Sequence, residues 1–386
     1  MNTKLKITLA LTLVAVNAAL FYYGKDTAHY LVENKEQGAD ALQTDLQNFY
    51  QKAQSLRDPQ NNKTTATFLA VGDIMLSRNV AATIKDSGQA DLPFSKMAAV
   101  LKSTDFNFGN LETPVAKAGG IIGGHSLVFS SPKEYVLPLK DYNFKILSLA
   151  NNHALDQGLN GLKYTYEFLH QNDIKSIGAS WVGSTLPHDT SDAWLPEMVE
   201  ANGIKISFIG ASYASINDNG KTTNNYVARI EEVANLVSSI RKAKTHGTDF
   251  VVVTMHAGTE YTRKPNQSQI DFARAAIDAG ADMVIGHHPH WVQTIETYNG
   301  KYIFYSLGNF IFDQMFSEDT KEGLTLKITI SKNKESDLQG SKTPAELESI
   351  ELLPVIIENY STPRPATADE SKKILEKINI NETKLR

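Results

Sequence analysis

The pattern of hydrophobic and polar positions divides the chain into three stretches. Lys4 and Lys6 precede a run that stays apolar from Ile7 to Tyr23, broken only by Thr8, Thr12, Asn17 and a few alanines. From Lys25 to about Lys63 apolar residues are sparse (Leu31, Ala39, Leu42, Leu46, Phe49, Leu56) and the segment closes on Asp58-Pro59-Gln60-Asn61-Asn62. That spacing predicts a helical stalk followed by a turn or linker. Beyond it, short β-rich runs alternate with runs of helical period. Strands are predicted at Thr65 to Val71, Phe144 to Leu149, Ile204 to Ile209, Phe250 to Thr254, Met283 to Ile285 and Tyr302 to Tyr305, and helices at Gly161 to Gln171, Glu231 to Thr245 and Ser268 to Ala279. Alternation of this kind predicts an α/β architecture, in which functional loops lie beyond the carboxyl ends of the strands. The expected organisation is 1–24, 25–63 and a single domain over 64–386.

The first stretch is shorter than the ~20 residues that span a bilayer and longer than the ~7–15 of a signal-peptide apolar region. Two readings follow. One is a signal peptide cut near Val16-Asn17-Ala18; the other is an uncleaved signal anchor, favoured because Leu20, Phe21, Tyr22 and Tyr23 prolong the run and supply interfacial aromatics. Either way the lysines stay inside and the rest is exported. The domain is expected outside the cytoplasm on a single-pass anchor in the cell membrane, or secreted if the segment is cleaved.

Composition narrows the chemistry. With 41% hydrophobic and 21% charged residues over 386 positions, the chain has enough apolar material for a large core. A formal net charge of -5, from 38 Lys+Arg against 43 Asp+Glu, gives no basic footprint for nucleic acid, so no nucleic-acid partner is expected. There is no cysteine, which excludes disulfides, thiolate ligands and a cysteine nucleophile. Any metal must be held by His, Asp, Glu or Asn.

Such residues gather at the predicted strand ends. The densest group is Val284-Ile285-Gly286-His287-His288-Pro289-His290, where His288 and His290 have the spacing to point to one side of an extended backbone and His287 to face away or orient a neighbour. The others are Gly72-Asp73-Ile74-Met75, with Gly72 allowing a turn, Gly109-Asn110-Leu111-Glu112, Asn151-Asn152-His153 followed by Asp156, His256 to Glu260, and Ser306 to Phe310 with Asn309. An Asp after Gly is by itself usually a turn or helix cap. Six such fragments at successive strand ends point instead to one divalent-metal site. His29, His125, His170, His188 and His246 sit in polar or helical surroundings and receive no role. Gly119, Gly120, Gly123 and Gly124 lack the Lys-Ser/Thr of a phosphate-cradling loop and read as a flexible loop.

These motifs, in this order from about Thr65 to about Phe312, resemble the CapA family of bacterial capsule and poly-gamma-glutamate synthesis proteins, whose domain is similar to calcineurin-like metallophosphoesterases. Leu352-Leu353-Pro354-Val355 and Pro363-Arg364-Pro365 look like the family's closing strand and the turn before a last helix, Asp369 to Ile378, within a closing region 323–380. The resemblance implies a two-sheet sandwich flanked by helices, with one or two divalent ions (Mn, Zn, Fe or Mg) beyond the strand ends. It implies Asp73 on one ion, Asn152 and His256 on the other, and His288 and His290 shared. His153, beside Asp156, would protonate a leaving oxygen. Two departures stand out: Met75 occupies a ligand-histidine position, and Asn110 falls where a bridging aspartate is expected, so Glu112 is placed as the bridge on chemical grounds. Asn110, Glu260, His287, Asn309 and Arg78 are further candidates.

The implied function is an extracytoplasmic, membrane-anchored factor in capsule or poly-gamma-glutamate synthesis or export, acting on an anionic polymer with a membrane-bound synthetase complex. The alternative is a metal-dependent hydrolase of phosphoester substrates. A third reading is an inactive scaffold, which Met75 favours and the cost of burying four unoccupied imidazoles opposes.

Overall fold

The computed structural model describes residues 63–116, 126–181, 192–213, 226–333 and 345–385. The proposed anchor and stalk, His29, His125, His188 and the four loop glycines lie outside them. No helix among the described residues is long and apolar enough to cross a membrane.

The strands, in chain order, are β1 (Lys63–Ile74), β2 (Phe106–Leu111), β3 (Val115–Ala116), β4 (Ser131–Pro132), β5 (Phe144–Ser148), β6 (Lys175–Ile177), β7 (Glu197–Ala201) and β8 (Ile204–Ser212). They continue with β9 (Phe250–His256), β10 (Met283–His287), β11 (Ile295–Tyr298), β12 (Lys301–Phe304), β13 (Asn309–Ile311), β14 (Glu322–Asn333), β15 (Glu346–Glu358), β16 (Thr362–Pro365) and β17 (Lys384–Leu385). One sheet runs β16-β15-β14-β1-β2-β5-β6, with β13 on β1 and β17 on β15; the other runs β11-β12-β10-β9-β8-β7. The centres are parallel, β1, β2, β5 and β6 in the first sheet and β8, β9, β10 and β12 in the second, while β3 and β4 pair with each other apart from both. Antiparallel strands close the β16 edge of the first sheet and both edges of the second.

Strand periodicity explains how the sheets stack. In β1, Ala66, Phe68 and Ala70 face one apolar cluster and Leu69 and Val71 another. In β9, Phe250 and Val252 face the first of these while Val251, Val253 and Met255 face a third. Successive side chains of a strand point to opposite faces, so a run apolar at every position must be covered on both sides. The shared cluster is the sandwich interior: Phe68 and Phe106 stack at 5.1 Å, and Phe208 of the other sheet meets Phe68 edge-on at 5.7 Å and Phe108 at 5.2 Å. Helices Arg78–Ser87 and Gly158–Gln171 cover the outside of the first sheet, and Val233–Thr245 and Gln267–Asp278 the outside of the second.

Within the described residues, every predicted strand and helix is present to within a few residues. Helix Arg78–Ser87 was not predicted; it carries no capping side chain and its first residue has φ 49°. Pro363-Arg364-Pro365 is a correction. It is not a turn but edge strand β16, antiparallel to β15, where a missing N–H is tolerated. Helix Ala368–Lys377 follows, opened by a Thr367–Glu370 capping box.

Candidate metal centre

Parallel pairing brings the motifs to one level. Asp73 pairs with Asn110 on one side and Asn309 on the other, Asn110 pairs with Ser148, and His256 pairs with His287. Glu112 directly follows β2, and Asn151, Asn152 and His153 follow β5. The carboxyl ends of β1, β2, β5, β9 and β10 thus converge across the top of the sandwich. Gly72 and Gly286 act through close approach rather than turns, since both lie inside strands. A Cβ at Gly286 would stand 1.9 Å from the Tyr305 carbonyl oxygen, and one at Gly72 2.1 Å from that of Gly308. Only glycine admits a neighbouring backbone so near.

His288 and His290 do not share one side of an extended strand, the arrangement their spacing predicts. β10 ends at His287, and the two later imidazoles sit on left-handed backbone, φ 97° and 57°. A tight turn, not strand alternation, brings both inward. Such strain in non-glycine residues costs about 1–3 kcal/mol each and persists where the surroundings over-determine it. Here the His288 N–H donates to Asp73 Oδ2 at 3.2 Å.

Two donor sets result. Glu112, His256 and His288 each offer one ligand atom within 4.8 Å of the others, and so do Asp73, Glu112 and His290. Glu112 belongs to both. Its carboxylate is fully buried, neither oxygen has a hydrogen-bond partner among the described residues, and Oε1 lies 3.7 Å from His256 Nε2 and 3.8 Å from His153 Nε2. Asp73 accepts from Asn110 Nδ2 at 2.8 Å, and His287 Nδ1 approaches its Oδ1 to 3.3 Å without hydrogen-bond geometry. His287 thus turns toward Asp73 rather than away from the site. Around His256, Asn152 Oδ1 lies 2.6 Å from Nε2 and Asn110 Nδ2 lies 3.1 Å from Nδ1. His290 Nδ1 donates to Asn309 Oδ1 at 2.9 Å; Asn309 is itself held by its Nδ2 bond to the Thr320 carbonyl, leaving His290 Nε2 as the acceptor nitrogen.

Burial and mutual charge set the protonation states. For Asp73, burial favours the neutral acid, but the close approach of the His287 and His290 imidazoles outweighs it and holds the carboxyl well below the usual range. Burial first, then the charges of Asp73 and Glu260, push Glu112 well above its ordinary value, with Arg78 opposing. Burial and His288 push His256 well down, and burial and His290 push His288 down to about 3. The latter two imidazoles are neutral, the form a metal takes.

A divalent cation fits this donor set. Two Glu112 oxygens and His288 Nδ1 are buried without partners, at about 1–3 kcal/mol for each unsatisfied group. The donors are imidazole nitrogen and carboxylate oxygen, which suit Mn, Zn, Fe or Mg. Met75 contributes nothing: its thioether accepts the Ser77 N–H at 3.1 Å and packs in the outer core. Asn110 holds its neighbours, giving Nδ2 to Asp73 and taking Asn151 Nδ2 at 3.2 Å on Oδ1. Glu260 is exposed at the rim and in neither donor set.

Against known families, residues 67–314 match the model described as bacterial capsule synthesis protein PGA_cap. The chain belongs to this family. It is 37% identical over 269 residues to the PGA biosynthesis protein CapA of Bacillus subtilis (strain 168), covering 68% of this chain and 67% of that protein. To the capsule biosynthesis protein CapA of Bacillus anthracis it is 32% identical over 284 residues, covering 71% and 66%. The chain thus spans about two thirds of the length of each. Among solved structures it is similar to the calcineurin-like phosphoesterase YfkN from Bacillus subtilis, with a TM-score of 0.46, 13% identity, and coverage of 82% of this chain and 97% of that one.

Beside the donors stands a His–Asp pair. His153 Nδ1 donates to Asp156 Oδ2 at 2.7 Å, and that oxygen also accepts the Phe129 N–H at 2.6 Å. The Phe129 ring stacks on the imidazole at 3.8 Å, leaving Nε2 directed at Glu112. Arg78 pairs with Asp313 and lies over the Phe129 and Phe312 rings. Sequence reasoning missed Asp313, Phe129, Phe312 and Tyr213, whose ring lies 4.6 Å from His288 and whose hydroxyl is pushed up to about 12 by burial. None sits in a metal-ligand pattern. Asp313, three residues past the Ser306–Phe310 fragment, was the nearest to discovery. Of the histidines given no role, His170 stacks on Tyr166 and His246 caps helix Val233–Thr245.

Proposed function

We propose that this chain acts in the synthesis or export of an anionic capsule polymer of the poly-gamma-glutamate type, and that it does so as a metal-dependent hydrolase. Family membership and the names of the relatives support the biological setting. The observation that carries the chemistry is Glu112, a buried carboxylate common to two donor sets with both oxygens unpartnered. Asp73, Glu112 and His290 would hold one divalent ion, and Glu112, His256 and His288, with the Asn152 amide oxygen nearby, a second. Bound there, the ions would supply positive charge that stabilises developing negative charge and lowers the pKa of water. Asp156 fixes the His153 ring and accepts its Nδ1 proton in a hydrogen bond, so that Nε2 can carry a proton to a leaving oxygen. Residues 1–24 would anchor the chain, residues 25–63 would space it from the membrane, and the domain from residue 64 would work outside the cytoplasm beside a membrane-bound synthetase.

Replacing His256 with alanine in cells that make the polymer tests this directly. Polymer output should fall while the chain remains folded and abundant; unchanged output would contradict the hydrolase reading. In vitro, the full chain with Mn or Zn should cleave an aryl phosphate. Removing residues 1–24 should release the protein from the membrane fraction.

A further inference from the structure

Arg78 is not needed to hold either ion, yet its setting is costly to maintain. Its backbone is left-handed at φ 49°, and its side chain is only 10% exposed. The guanidinium lies 4.8 Å from the centroid of Phe129 and 5.6 Å from that of Phe312. Each ring also leans on a site imidazole, Phe129 on His153 at 3.8 Å and Phe312 on His290 at 4.7 Å. The cation therefore sits between the proton-donating side of the site and the His290 side. Its charge is felt at the Glu112 carboxyl.

The pairing of Arg78 is incomplete. Asp313 takes one terminal nitrogen, and through Oδ2 it also accepts the Asn79 N–H at 3.1 Å; the Ser126 carbonyl accepts from the other terminal nitrogen at 3.3 Å. Nε–H is buried and has no partner among the described residues. A guanidinium whose fork is only partly used, lying over aromatic faces beside the candidate metal donors, suits an oxyanion that completes the fork. Left-handed strain at its own backbone is the kind that persists where position matters.

We propose that Arg78 is a substrate-binding residue that receives an oxyanion, a phosphoryl or carboxylate oxygen, beside the metal donors, and that Asp313 is its positioning residue. This rests on the metal-site reading above and deepens it: the substrate carries an anionic group next to the bond at the ions. Phosphoester and polyglutamate chains both present one.

The test is calorimetric titration of the full-length protein with inorganic phosphate and, separately, with free glutamate, with and without Mn, in wild type, Arg78→Lys and the pair Arg78→Gln with Asp313→Asn. The double change removes both charges together, so that no unpaired buried carboxylate is left to unfold the chain. Both variants should bind at least one of the two anions about 10-fold more weakly than wild type. The anion affected tells which source is recognised. Wild-type affinity for both anions in both variants, or no binding of either anion to wild type, would overturn the proposal. Metal content of the same samples reads the underlying assignment separately: a wild type that takes up no divalent ion sinks the metal reading, while the anion titrations still decide Arg78.

Discussion

The two donor sets that meet at Glu112 are chemically unlike. One is nitrogen-rich: His256 and His288 are buried and held neutral, with the Asn152 amide oxygen close by. The other is oxygen-rich: Asp73 is held ionised, and His290 is fixed by Asn309. Imidazole favours borderline ions such as Zn or Fe, while carboxylate oxygens also suit Mn and Mg. The two sets thus suit different ions, and among the described residues Glu112 is the donor common to both.

Removing the shared ligand should have the largest effect. Glu112→Gln should weaken uptake at both positions, by more than the ~10–100-fold typical of residues that merely orient a ligand, as read by metal titration. Next, the two halves should separate. His256→Ala should lower occupancy at the nitrogen-rich position and Asp73→Asn at the oxygen-rich one, each leaving one ion per chain by elemental analysis. Loss of both ions in either variant would show that the sets are not distinct. Asp156→Asn should leave metal content unchanged yet slow hydrolysis about 100-fold, with an altered acid limb in the pH–rate profile.

The smallest effect concerns stability of the metal-free protein. His288 has a folded pKa of about 3 against an ordinary value of 6.5. The unfolded chain therefore binds more protons between those values, so stability is full above pH 6.5 and declines as pH falls toward 3, at up to about 1.4 kcal/mol per pH unit. Asp73, lowered in the fold, adds a loss at still lower pH. Glu112, raised in the fold, acts oppositely, costing stability as pH rises above its ordinary value and so flattening the slope. Melting temperatures across pH should fall less steeply on the acid side in His288→Gln than in wild type; identical slopes would contradict the assignment.

What the sequence revealed follows from which interactions are local. Strand alternation and the apolar runs of β1 and β9 placed the sheets, because a side chain's face is decided by its neighbours in the chain. Donors at strand ends could be named for the same reason. The turn that swings His288 and His290 inward could not, because left-handed backbone at a non-glycine residue is imposed by tertiary contacts such as the His288 N–H bond to Asp73. Nor could the Arg78–Asp313 pair, whose members are 235 positions apart. Gly72 and Gly286 could be recognised as special, but the reason, a backbone arriving from Gly308 or Tyr305, belongs to sheet packing.

Counting divalent ions per folded chain in the purified full-length protein, after exposure to Mn or Zn and removal of free ion, is the most direct test. The account predicts two ions in wild type and a loss of both in Glu112→Gln. A folded wild type that holds none, or a Glu112→Gln protein that still holds two, would contradict it.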